Sequence, residues 1–339
     1  MEEHMYNKQN KTNSLVEAGL IVSLMIVLIM LNLYFPIVGI IATFLLPIPI
    51  AVLYLRQDYK TTLWAILVTG VITAMINNPI TAVIITISFG IIGFLLGYCI
   101  KKQKSIFMTI MILAAGFLLS NIMIILIQIL FVNKTGIMNF INKNISMMKD
   151  TMESAKAFYS QAGVPKEQLQ QMEQRLNLLQ PDLILKMIPA TLIISAFFSA
   201  FLNYAVTKKV LMKLGYKNIK PLPHISKIYV NVRIVTIVAI GLLIGVILKR
   251  KGIEVGDYFF MTSSNLLFTM LLIDGVSVFI YYMKNKFNIS KGILILIFFI
   301  TVLGPLSIIY FYLGLMDIML DFRKLDPFRQ YRNNKSGEL

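Results

Sequence analysis

Few side chains in this sequence could do covalent chemistry. Its two histidines are His4, in a polar start, and His224, beside Pro223 in a lysine-rich stretch; its one cysteine is Cys99. One thiol excludes an internal disulfide and any Cys-cluster zinc site, and two distant histidines leave little for a His-based metal centre. The signatures H-E-x-x-H, G-x-S-x-G, the P-loop and G-x-G-x-x-G do not occur. No nucleophile, base and oxyanion donor can be assembled, so the expectation is a protein that is not an enzyme and uses neither metal nor cofactor. Solvated or structural roles suit both histidines.

What the sequence does offer is uncharged polar side chains inside long apolar stretches. Asn32, Tyr34, Asn77 and Asn78 fall at the ends of the first and third stretches, and Ala114, Asn121 and Gln128 recur seven residues apart in the fifth. An amide without a partner in hydrocarbon costs several kcal/mol, so these groups must face protein or a cavity. Such a cavity suits an uncharged or zwitterionic small molecule, although Asn77-Asn78-Pro79 also reads simply as a turn. Asp274 is the acidic residue set deepest in an apolar stretch, where a charged side chain costs roughly 2.5–3.5 kcal/mol on insertion scales. Ser263, Met270, Asp274 and Ser277 share a helical face, which fits either an ion or substrate site or a hydrogen-bonded structural carboxyl. Glu17 and Arg233 sit at stretch ends and can snorkel.

The elements that carry these groups are membrane helices. Of 339 residues, 57% are apolar and 14% charged, and mean hydropathy is +0.76, outside the usual range of soluble domains. Apolar segments near 15–35, 37–55, 61–77, 79–100, 106–132, 187–207, 229–248, 257–283 and 292–316 approach or exceed the roughly 20 residues needed to cross a ~30 Å hydrocarbon core. The first reads as an uncleaved span, not a signal peptide. The expected fold is an all-α polytopic transmembrane bundle of eight or nine spans. Segment 37–55, interrupted by Pro47 and Pro49, is the one expected to be short, tilted or re-entrant. Residues 133–186 form the one long aqueous loop. There Ile141, Ile145, Met148, Met152, Ala155 and Tyr159, then Leu169, Met172, Leu176 and Leu179, recur at helical steps around Gly163-Val164-Pro165. This is an amphipathic helical hairpin, either a cap on the bundle or lipid surface or a lid over a ligand. Small residues at helical spacing, Gly70, Thr73 and Ala74, then Thr86, Gly90, Gly93 and Gly97, and Gly241 with Gly245, suit close helix packing or a cavity lining.

The excess of 32 Lys and Arg over 16 Asp and Glu reports orientation and contact with anionic lipid before nucleic acid, which is not an expected partner. With the N-terminus cytoplasmic, most of the lysines, six of them in 208–227, fall inside. The domain division is then a polar tail 1–14, a six-segment membrane region 15–228 with residues 133–186 outside the cytoplasm, further spans over 229–316 and a charged tail 317–339.

The order Ala18-Gly19-Leu20-Ile21-Val22-Ser23, Leu33-Tyr34-Phe35-Pro36, Leu46-Pro47-Ile48-Pro49 through Arg56, and Gly90-Ile91-Ile92-Gly93 through Gly97 resembles the YybS-like family of uncharacterised bacterial polytopic membrane proteins, which carry a domain of unknown function. Leu202-Asn203-Tyr204, Lys208-Lys209-Val210-Leu211 and Gly314-Leu315-Met316-Asp317 through Lys324 extend the resemblance over most of residues 15–325. The front region is also distantly similar to the substrate-binding S components of energy-coupling-factor transporters, six-helix proteins that enclose a small molecule beneath their outer loops. That similarity implies a transmembrane coupling subunit and ATPases as partners. It places a ligand among Asn32, Tyr34, Asn77, Asn78, Asn121 and Gln128 with the 133–186 hairpin as lid, in a bacterial cytoplasmic membrane. Ala18 with Val22 and Gly19 with Ser23 stand where that family docks its coupling subunit. A membrane scaffold for envelope or morphogenesis proteins, docking through the hairpin and the basic connector, is the alternative.

Overall fold

Proline and short polar residues decide where the apolar stretches break. Proline is tolerated in a first helical turn, where its missing N–H has no partner in any case, and Pro36, Pro47, Pro79 and Pro181 each open a helix. Asp58, Asn78 and Ser105 each cap the next helix by accepting a backbone N–H three residues on. The computed structural model describes residues 2–133, 136–161, 163–302 and 306–326. Arg329, Arg332, Lys335 and Glu338 of the charged tail lie outside the described residues.

The helices are α1 (Glu2–Tyr34), α2 (Pro36–Leu45), α3 (Pro47–Arg56), α4 (Tyr59–Ile76), α5 (Pro79–Lys101), α6 (Ile106–Ile127), α7 (Ile137–Gln161), α8 (Lys166–Asn177), α9 (Pro181–Lys213), α10 (Val232–Arg250), α11 (Val255–Asn285), α12 (Lys291–Val302) and α13 (Ser307–Leu320). A π-helical turn, Gln128–Asn133, extends α6, and a 3-10 turn, Ile225–Lys227, interrupts the connector before α10. No strand occurs among the described residues. Among the described residues seven helices are long and apolar enough to cross a membrane, and two shorter apolar helices, Ile41–Arg56 and Ser307–Leu320, accompany them. The all-α polytopic expectation holds. Segment 292–316, read from sequence as one span, consists of α12 and α13.

The chain divides into two compact units, 1–185 with 195–222, and 186–194 with 223–339. At the centre of the first is α3, whose residues Pro47 to Tyr54 are all buried. A ten-residue helix buried on every side needs neighbours that approach its backbone, and α5 supplies glycines. A Cβ on Gly93 would stand 2.6 Å from the Pro47 carbonyl oxygen and 2.7 Å from Ile50 Cβ, and one on Gly97 2.5 Å from Tyr54 Cβ. The small-residue stripe on α5 is therefore a packing groove for α3. Gly70 and Gly90 do the same between α4 and α5, against Thr86 and Ile66. Gly93→Val should lower the stability of purified protein by about 1–3 kcal/mol, the usual cost of overpacking. Its melting temperature in detergent should fall accordingly, whereas that of Gly19→Ala, where nothing lies within 4 Å, should not.

The expected hairpin is present as α7 and α8, turned at Gly163 with φ +82° and tied by Lys156 Nζ to Glu173 Oε2 at 2.5 Å. Its apolar stripe is buried at Ile141, Ile145 and Leu169 but exposed at Met148 and Tyr159. In the second unit α10 and α11 pack as an antiparallel pair through Gly245, which lies against the Phe260 backbone, and α11 meets α13 at Gly275 and Gly314.

Candidate functional site

In the first unit, polar contacts gather helix termini at one end. Arg56 Nη1 pairs with Glu17 Oε1 at 2.9 Å, and Arg56 Nε donates to Tyr216 Oη at 3.1 Å. Lys101 Nζ donates to the carbonyls of Tyr54 and Gln57, Gln103 Nε2 to that of Asn218, and Lys220 Nζ to that of Gln103. The apolar part of α1, α4 and α6 therefore begin at this end, and α3, α5 and α9 finish there. It follows that α2 and α3 together return the chain to the face from which α1 set out; of the alternatives that the prolines left open for this segment, short, tilted or re-entrant, the structure has two short helices broken at Leu46–Pro47. This end carries Arg56, Lys60, Lys101, Lys102, Lys104, Lys208, Lys209, Lys213, Lys217 and Lys220 against Glu17 and Asp58. Hydrogen bonds from Thr61 hold the Asp58 carboxyl below the usual range.

The opposite end is formed by Tyr34 to Pro36, Ile76 to Pro79 and the π-helical turn, and none of these residues is charged. By the same topology it holds Asn32, Tyr34, Asn77, Asn78 and Gln128, with Asn121 about 10 Å further in along α6. Two of these amides serve the turn itself: Asn78 N–H donates to Asn77 Oδ1 at 2.7 Å, and Thr81 N–H donates to Asn78 Oδ1 at 2.8 Å. Tyr34 is exposed, and Asn32 half-buried. Asn121 and Gln128 are half-buried and make no side-chain hydrogen bond with the described residues. Gln128 also opens the π-helical turn, a backbone irregularity found frequently at functional sites. Cavities among the described residues lie away from this end. One of about 10 Å³, room for a single water, is bounded in the first unit by Gln103, Thr109, Tyr204 and Lys220; one of about 440 Å³ is lined in the second by Leu242, Ser264, Asn265, Phe268 and Phe311.

Sequence reasoning missed Asn203 and Thr207 on α9 as site candidates. Both are fully buried; Asn203 Nδ2 lies 3.4 Å from the Phe44 carbonyl beside the α2–α3 break, while Asn203 Oδ1 and Thr207 Oγ1 have no hydrogen-bond partner among the described residues. The proline breaks were the available signal, because a backbone carbonyl freed in a helix interior needs a donor from elsewhere.

In the second unit Asp274 and Ser277 come together, and Ser263 does not join them. Ser263 lies eleven residues earlier on α11, against Gly241. The partner that the sequence left in the charged tail is Arg323. Its Nη2 lies 2.8 Å from Asp274 Oδ1 and 2.9 Å from Asp317 Oδ2, its Nε 3.0 Å from Asp317 Oδ2, and its Nη1 2.9 Å from the Ile228 carbonyl and 2.5 Å from Ser277 Oγ. All three charged side chains are 0–1% exposed. Ser277 Oγ lies 2.5 Å from the Ile225 carbonyl oxygen and 2.8 Å from that of Ile228, and Val230 N–H donates to Asp274 Oδ1 at 3.2 Å. Non-helical backbone is tolerated at membrane depth only where protein satisfies its polar groups; the cluster does this for residues 225–230. Far along α11, Asp257 accepts Lys186 Nζ at 2.9 Å and pairs with Lys249 Nζ at 3.1 Å. No group of three or more His, Cys, Asp or Glu side chains suited to a metal occurs among the described residues.

Fold and composition together define a multi-pass helical membrane protein. The chain belongs to the family described as "Predicted membrane protein (DUF2232)", whose model matches residues 23–318. It is also similar to the "Uncharacterized protein YybS" of Bacillus subtilis (strain 168), at 22% identity over 284 residues covering 81% of this chain and 86% of that protein. No solved structure matches. The family match includes Asp274 and Asp317 and stops five residues short of Arg323.

Proposed function

We infer that this protein is a membrane-embedded binding or transport component for a small uncharged or zwitterionic molecule, without enzymatic activity of its own. One observation carries the reading. At the uncharged end of the first unit, Asn121 and Gln128 present half-buried amides that no described residue satisfies, and such groups at membrane depth call for a polar ligand, water or a lid. The α7–α8 hairpin follows α6 at that end and carries apolar side chains on its outward face. The ten cations at the other end support a cytoplasmic N-terminus in a bacterial inner membrane by the positive-inside rule. The resemblance to S components supports a coupling subunit with ATPases docking on that cytoplasmic end.

The test is purification from native membranes in mild detergent, followed by mass spectrometry of co-purifying metabolites and proteins. A stoichiometric metabolite, or a coupling subunit with ATPases, is the expected outcome. Envelope-assembly proteins with no bound metabolite would replace the reading with the scaffold. With a ligand identified, Asn121→Ala combined with Gln128→Ala should weaken its binding by roughly tenfold or more, because each lost hydrogen bond is worth about 1 kcal/mol and tenfold is about 1.4 kcal/mol. Isothermal titration of the reconstituted protein measures this, and unchanged affinity would remove the ligand from this end of the unit.

A further inference from the structure

The Arg323 cluster is a stable arrangement for the guanidinium but an incomplete one for the carboxyls. Arg323 has five N–H donors. Nε and Nη2 face Asp317 and Asp274, and Nη1 faces the Ile228 carbonyl, Ser277 Oγ and, at 3.4 Å, the Ser226 carbonyl. Asp317 has both oxygens engaged, Oδ2 by the guanidinium and Oδ1 by the Arg323 backbone N–H at 3.3 Å. Asp274 has only one. Its Oδ1 receives Arg323 and Val230, while Oδ2, on a side chain with 0% exposure, has no hydrogen-bond partner among the described residues. One cation thus faces two carboxyls, leaving an excess of one negative charge when both are ionised, and the unmatched oxygen belongs to Asp274.

Among the described residues nothing donates a hydrogen bond to Oδ2. Around the cluster, the connector carries His224, Lys227 and Tyr229, α10 begins with Arg233, the turn after α13 carries Asp321, Lys324 and Asp326, and α11 ends with Lys284. Of these, His224 Nδ1 lies 2.9 Å from Ser226 Oγ and His224 Nε2 3.5 Å from Lys284 Nζ. His224 is exposed and Ser226 buried, and the Ser226 carbonyl is itself an acceptor for Arg323. His224 and Arg323 thus contact the same residue, Ser226, one at its hydroxyl and the other at its carbonyl. A buried carboxyl with an unsatisfied oxygen inside a membrane helix is the material of a proton site.

We propose that Asp274 is a proton-binding site of the second unit, its carboxylate taking up one proton from water at Oδ2 while Oδ1 stays bonded to Arg323 and Val230. Uptake forms one O–H bond, leaves the Arg323–Asp317 pair as a neutral couple and removes the excess charge. Release restores it and strengthens the pull of Asp274 on Arg323. Because Arg323 and Ser277 also hold the carbonyls of residues 225–228, the proton sets how firmly the connector is tied to α11. This site stands independently of any ligand in the first unit.

The experiment is infrared difference spectroscopy of the full-length protein in nanodiscs, between acidic and alkaline buffer, with Asp274→Asn and Asp317→Asn beside the unmodified chain. A protonated-carboxyl C=O band that titrates in the unmodified protein and is lost in Asp274→Asn is expected; in Asp317→Asn, where Arg323 is left to Asp274 alone, the band should titrate at lower pH or disappear. Asp274→Glu, which keeps the carboxyl if the amide variant does not fold, should retain a titrating band at a displaced frequency. A band that survives Asp274→Asn or is undisplaced in Asp274→Glu overturns the proposal, as does a spectrum in which no carboxyl band titrates.

Discussion

Arg323→Leu should destabilise the protein by about 3–5 kcal/mol, the cost typical of removing one member of a buried ion pair. The substitution leaves Asp274 and Asp317 facing each other without a cation and strips the Ile228 carbonyl of its 2.9 Å donor. Thermal unfolding in detergent, read by circular dichroism, should show the loss directly, together with a reduced yield of monodisperse protein. Arg323→Lys should fall between, because an ammonium keeps the charge but lacks the planar fork that reaches both carboxyls and the connector at once. Asp274→Asn added to Arg323→Leu should recover part of the loss, since the interaction of residues in one network is not additive. If Arg323→Leu melts like the unmodified protein, the cluster does not hold the connector.

The difference between what could and could not be read beforehand follows from range. Helices α1, α4, α5, α6, α10 and α11 were legible because their apolar length and their capping residues are local features, and Asn78 both signals and makes the turn after α4. The path of α2 and α3 was not, because Pro47 predicts only a break; that the chain nevertheless returns to the starting face depends on Gly93 and Gly97 of α5 admitting α3. Asp274 was legible as an anomaly, a carboxyl in an apolar run. Its partner lies 49 residues away, beyond the last apolar segment, where an arginine reads as tail. Ser263 was grouped with Asp274 by helical phase alone, but phase places residues on one face without regard to distance along the axis, and the eleven intervening residues put them about 16 Å apart. The amides of Asn121 and Gln128 were recognised by type and spacing, whereas Asn203 needed the position of the Phe44 carbonyl to become meaningful.

Gly275→Ala should separate α11 from α13. A single methyl group there would overlap the Tyr310 carbonyl oxygen, and at Gly314 it would overlap that of Leu271. Backbone cannot rotate out of the way as a side chain can, so both helices must shift, and the shift breaks contacts on either side: the Phe268–Phe311 stack at 5.6 Å, the Phe279–Tyr310 edge contact at 5.3 Å and the approach of Asp317 to Arg323. The expected cost is at or above the roughly 1–3 kcal/mol of ordinary overpacking. A graded series isolates the cause. At Gly292 nothing lies within 4 Å, and Gly292→Ala should leave the melting temperature unchanged or raise it slightly, as alanine favours the helix. At Gly241 the nearest atom is Ser263 Oγ at 2.9 Å, a side chain that can turn aside, so Gly241→Ala should cost little. Gly275→Ala and Gly314→Ala should each cost far more than either, and the two together less than their sum, because they open the same crossing. Equal melting temperatures across the series would mean that the α11–α13 contact is looser than backbone-to-backbone packing, and with it the placement of Arg323 beneath Asp274.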